Sequence, residues 1–158
     1  RETEIDDIFF NIDKMNTKIA YIKKNNIFYT IGAEGSPDVQ FQLLEAILEV
    51  IISNFQDMYD TDVILSFENV SANVFKDFPG EIDELLSDLE ELNLGKVIRA
   101  HCRGCGKTRM PIFIKKSIID NAESYPVPIV YNHEGHAILC YIDKNFEVRG
   151  IELVNTTG

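Results

Sequence analysis

A chain of 158 residues with 45% hydrophobic composition has enough apolar surface for a real core, in one domain or two small ones. Its net charge of −11 and pI near 4.6 argue against a nucleic-acid-binding surface and a polybasic membrane contact, since both need a positive face. No apolar run approaches the roughly 18 residues that would cross a bilayer, residues 1–7 do not read as a signal peptide, and Arg1 in place of an initiator Met implies a trimmed or excised chain; the expectation is a soluble, cytoplasmic protein.

Residues 8–12, 18–22 and 27–31 are short runs rich in β-branched and aromatic side chains, predicted as strands. Asn25 and Asn26 tolerate positive φ, so the second and third strands should pair as an antiparallel hairpin. A long helix is predicted over 36–59. Ser36 is its expected cap, Pro37 suits the first helical position, and Asp38 sits where the helix dipole favours negative charge. Leu44, Ile47, Leu48, Ile51, Phe55 and Met58 recur every three or four residues, and Leu43, Val50 and Ile52 widen the stripe, so the helix should lie across a sheet. Beyond it, 63–67 is expected as a strand and 69–75 as one or two helical turns, with an interruption at Pro79 and Gly80. Residues 81–92 should form an acidic amphipathic helix with Ile82, Leu85, Leu86 and Leu89 on one face, ended by Asn93 and Gly95.

The first 95 residues resemble a longin domain, or the related roadblock domain. Longin domains also occur in small subunits of vesicle-coat adaptors and at the N-terminus of the signal-recognition-particle receptor's α subunit. Three stretches carry the likeness: residues 27–32 as the last strand before the helix, the helix with Phe55 near its end, and residues 61–70 as an acidic-apolar strand followed by Phe67 and a polar turn. The resemblance implies an α/β (α+β) fold, an antiparallel sheet flanked by helices. It also implies non-enzymatic work as an adaptor or scaffold in trafficking or signalling, binding a small GTPase, a SNARE segment or another longin or roadblock domain, with homodimerisation through the same platform and any membrane association made through a partner.

From residue 96 to 158 the pattern changes to short strands with one brief helix, a second, β-rich module. Strands are expected at 96–100, 109–114, 127–131, 137–142 and 146–153, with a helix over 117–124 capped by Ser117 and a turn at 143–145. Two or three strand pairs and one helix make a marginal core, so a staple would help. All the cysteines and histidines lie between His101 and Cys140. Cys102 and Cys105 form a Cys-x-x-Cys turn with Gly104 and Gly106, like the knuckle of a zinc ribbon, and this spacing points to metal or redox use rather than a disulfide framework. His133 and His136, between two predicted strands, offer two imidazoles at matching spacing. The predicted centre is a structural, tetrahedral zinc site of Cys102, Cys105, His133 and His136, whose four protein ligands leave no place for a reactive water. His101 or Cys140 can substitute in it, although Cys140 in mid-strand suits a small buried apolar residue better.

Competing chemistries are weaker. Residues 104–108 lack the P-loop's first glycine, because His101 stands there. A thioredoxin-type pair would open a helix, whereas Cys102 and Cys105 lead into a strand; a redox protein or enzyme centred on these two thiols is the alternative reading, with Glu134 as the nearest general base. His133 and His136 are one residue too close for the helical metalloprotease motif. Nucleic-acid binding by Arg99, Arg103, Lys107, Arg109, Lys115 and Lys116 is the third reading, without an aromatic platform beside them.

Overall fold

The computed structural model describes residues 8–35 and 39–154. The architecture is α+β, with antiparallel sheets only among the described residues, and the chain divides into two compact units, Arg1–Asn93 and Leu94–Gly158.

In the first unit β1 (Phe10–Lys14), β2 (Thr17–Lys24) and β3 (Ile27–Glu34) form a meander in that order. Asn25 and Asn26 close the β2–β3 hairpin at φ 50° and 64°, the paired left-handed conformation whose twist matches the flanking strands. Strand alternation then separates two faces. On one, Ile22 opposite Tyr29 packs with Leu48 and Ile52 of α1 (Phe41–Met58), flanked by Ile31 and Phe55. On the other, Phe10, Ile12 and Phe28 are 40%, 44% and 66% exposed.

The segments after the sheet depart from expectation at several points. α1 begins at Phe41, because Lys18 Nζ donates to the Val39 carbonyl at 2.7 Å and Gln40 is extended; the expected Ser36 cap, with Pro37 and Asp38, lies outside the described residues. Residues 63–67, expected as a strand, belong instead to α2 (Thr61–Leu65) and the turn after it. Asp60 decides this: its side chain accepts from the backbone N–H of Asp62 at 3.1 Å and of Val63 at 3.2 Å, an N-cap that starts a helix. A 3₁₀ turn, Ala72–Phe75, lies within the stretch read as helical turns. Pro79 does not interrupt anything; it sits in the first turn of α3 (Phe78–Leu86), where its missing N–H costs no hydrogen bond, and the predicted helix over 81–92 is therefore earlier and shorter. Phe55 joins these pieces, with its ring 4.9 Å from Tyr59, 5.7 Å from Phe75 and 5.2 Å from Phe78.

The second unit pairs β4 (Gly95–Ala100) with β5 (Met110–Lys115), then continues through α4 (Lys116–Asp120) to a meander of β6 (Val127–His133), β7 (His136–Ile142) and β8 (Val148–Val154). Its core is built largely of isoleucine: Ile98, Ile112, Ile114, Ile119, Ile129, Ile138 and Ile142 are buried together, with Cys140 among them as a small apolar side chain. α4 starts one residue before Ser117, so that serine is not its cap, and the helix stops at Asp120. The last strand begins at Val148 rather than 146, because Phe146 occupies the turn at φ 63° and packs against the core. Among the described residues no helix is long and apolar enough to cross a membrane.

Candidate metal centre

Two turns of the second unit build the site. The first joins β4 to β5. Ala100 ends β4 facing the core, and Cys102 follows it inward, 1% exposed. The turn then folds on itself: the Cys102 N–H donates to the Lys107 carbonyl and the Gly106 N–H donates to the Cys102 carbonyl, each at 2.8 Å. Gly106 has φ 75°, a conformation that suits glycine. Burial at the Cys102 sulfur works against ionisation, but the N–H groups of Cys105 and Gly104 and the Cys105 side chain bond to it and prevail, so the thiol is pulled below its ordinary range.

The second turn joins β6 to β7. Glu134 and Gly135, at φ 46° and 78°, form a two-residue hairpin turn. His133 and His136 are consequently direct cross-strand partners, and their rings lie 6.3 Å apart on one face.

The fold brings these turns together. One ligand atom from each of Cys102, Cys105, His133 and His136 lies within 4.8 Å of every other. Cys105 Sγ is 3.1 Å from His133 Nε2. A tetrahedral ion with bonds of about 2.3 Å to sulfur and about 2.0 Å to nitrogen holds its donors roughly 3.5 Å apart, a spacing the cluster reaches with a small contraction. The buried Nδ1 of His136 has no hydrogen-bond partner among the described residues. The ring also packs against Gly104, where a Cβ would lie 2.9 Å from its Cδ2.

His101 is exposed and is not part of the cluster, and Cys140 packs in the core. A link that sequence reasoning missed is the ion pair between Lys107 Nζ and Glu134 Oε1, 2.9 Å long, which ties the two turns from outside. No spacing signals it: Lys107 lies two residues after Cys105 and Glu134 directly after His133, on different turns. The pairing changes the expectation for Glu134: Lys107 holds its carboxyl below the ordinary range, which weakens it as a general base.

No protein-family model, no curated protein and no solved structure matches this chain. Two thiols and two imidazoles at this spacing can hold a metal ion between two hairpins.

Proposed function

We propose that this chain is a non-enzymatic protein-interaction module. In this reading a longin-like or roadblock-like first unit serves as an adaptor or scaffold platform, and a zinc-ribbon-like second unit is stapled by structural zinc on Cys102, Cys105, His133 and His136. The outer face of β1–β3 carries the reading, since Phe10, Ile12 and Phe28 are presented to solvent together while the opposite face is sealed by α1. Exposed large apolar side chains on one sheet face are costly in water and suit protein contact. The partner proposed is a small GTPase or another longin or roadblock domain, in cytoplasmic trafficking or signalling, with homodimerisation as the self-contact of the same platform. Capture from lysate with GDP and with a non-hydrolysable GTP analogue tests it: a small GTPase retained in one nucleotide state and lost with Phe28→Asp supports the platform, and equal capture by the variant sinks it.

The donor set supports zinc, because two thiolates and two imidazoles grouped within 4.8 Å match its preference, and four protein ligands would leave no open position for catalysis. One metal per chain after gel filtration, and the d–d absorption of a tetrahedral cobalt derivative, would support the site; metal-free folded protein would remove it. The redox alternative rests on the same two thiols, of which Cys102 is buried and Cys105 exposed. Thiol reagents separate the two readings. A zinc staple predicts protection of both cysteines until a chelator is added, whereas a redox pair predicts fast native-state modification.

A further inference from the structure

Most of the 26 acidic residues precede Leu94, whereas most of the 15 basic residues follow it. The imbalance is concentrated on one hairpin: from Leu94 through Lys116 there is no Asp or Glu. Two other cations of this unit do find carboxylates, Arg149 with its Nε 2.7 Å from Asp143 and, on this same hairpin, Lys107 with Glu134. Arg99, Arg103 and Arg109 are exposed and make no ion pair among the described residues.

We infer that the β4–β5 hairpin is a docking surface for a short acidic peptide segment of a protein partner, one that carries an apolar side chain among its carboxylates. Arg99 lies opposite Pro111, and its same-face neighbour Val97 lies opposite Phe113. Val97 is 55% exposed, so an apolar contact stands beside an unneutralised guanidinium. Guanidinium groups bind carboxylates through paired, parallel hydrogen bonds, and the knuckle places two more of them, Arg103 and Arg109, along the same hairpin. Charge complementarity alone would also admit a nucleic acid. Two observations favour the peptide. The chain as a whole carries −11, which repels a polyanion at long range but weighs little on a segment with a few carboxylates. The exposed valine rewards an apolar side chain, which a phosphate backbone lacks. This surface belongs to the second unit and does not depend on the outer face of β1–β3.

The test is fluorescence anisotropy on the full chain, using a labelled synthetic peptide with the sequence of residues 81–92, which has the required mixture of carboxylates and leucines. The controls are its Gln/Asn counterpart and a single-stranded oligothymidylate. The acidic peptide should bind, weaken as salt rises, and lose about tenfold in affinity with Arg99→Ala or Arg103→Ala, the scale of one lost charged hydrogen bond. Arg99→Lys should recover part of that loss, and Lys144→Ala, at the β7–β8 turn, should change nothing. Equal binding of the uncharged peptide, tighter binding of the oligonucleotide, or full affinity in the arginine variants would overturn the inference. Unchanged β-sheet circular dichroism in each variant keeps a lost affinity from being a lost fold.

Discussion

Cys105 Sγ and His133 Nε2 lie 3.1 Å apart although 28 residues separate them in the chain. The contact joins the β4–β5 turn to the β6–β7 turn, and with them the two sheets of the second unit. On the proposed zinc reading this small unit depends on the cluster for stability, because structural zinc sites contribute roughly 10–16 kcal/mol in isolated zinc-binding peptides, comparable with the whole stability of a domain. Cys102→Ser should therefore lose the metal and unfold the second unit while α1 keeps its helical signal. Metal content and circular dichroism on the same sample check this; a folded, fully stable Cys102→Ser protein would exclude the staple.

A gentler variant separates metal affinity from folding. Gly104 has no backbone reason to be glycine, but a Cβ there would stand 2.9 Å from His136 Cδ2 and 3.0 Å from its Nε2. The imidazole has to move, and a displaced ligand weakens the site. Gly104→Ala should lower zinc affinity by about 10- to 100-fold, the range seen when the support of a metal ligand is disturbed. Competition with a chromophoric chelator reads this directly, and an unchanged affinity would show that His136 is free to shift.

Much of this site was legible because hairpin chemistry is local. Asn25 and Asn26 take positive φ values that follow from residue type, as does Gly135 in the β6–β7 turn, which carries Glu134 with it to φ 46°. Once the second turn is granted, His133 and His136 must face each other, and the Cys-x-x-Cys spacing supplies the opposite half. What local reasoning lost were choices made by single polar contacts. Val63, Ile64 and Leu65 form an apolar run that suits strand or helix alike; the Asp60 side chain, bonded to two backbone N–H groups, selects helix. One of the three stretches that suggested a longin domain is thus helical, while the other two keep their expected strand and helix. Pro79 was read as a break because proline's first-turn preference competes with its breaking effect, and only the position of Phe78 decides between them. The Lys107–Glu134 pair depends on two turns meeting in space, which no spacing reveals.

Asp143 makes acid sensitivity predictable. Its carboxylate accepts from the N–H of Asn145 at 2.8 Å, from the N–H of Glu147 at 2.9 Å and from Arg149 Nε at 2.7 Å. The bond from Glu147 is the largest cause, burial opposes it, and the net effect holds the carboxyl below its ordinary range. A depressed pKa means that the stabilisation is present above the unfolded value, about 3.9, and is lost as pH falls through the folded one. Asp143→Asn should accordingly melt lower than the parent at pH 7, and the two melting curves should converge as pH drops below about 4. Melting temperatures of both proteins across that range supply the check, and a constant gap would show that the ionised carboxylate is not what holds the β7–β8 turn.

The first unit offers a parallel test, in which packing rather than metal carries the load. Phe55 is the one ring that meets Tyr29, Tyr59, Phe75 and Phe78, at 5.7, 4.9, 5.7 and 5.2 Å between centroids. It thereby connects the sheet, the end of α1, the 3₁₀ turn and the start of α3. Truncation removes both its buried area and four aromatic contacts, and the surrounding elements are too short to collapse well into the space. Phe55→Ala should cost about 3 kcal/mol, the lower end for a Phe→Ala change in a core, since this ring is only half-buried. Phe28→Ala, on the exposed face of β3, should stay within about 0.5 kcal/mol. Urea denaturation of the two variants followed by helix signal decides the matter. A small loss for Phe55→Ala would mean that the segment from α2 to α3 is held by something other than this aromatic cluster, whereas a large loss for Phe28→Ala would mean that the outer face already has a partner in the free protein and is not the open platform proposed above.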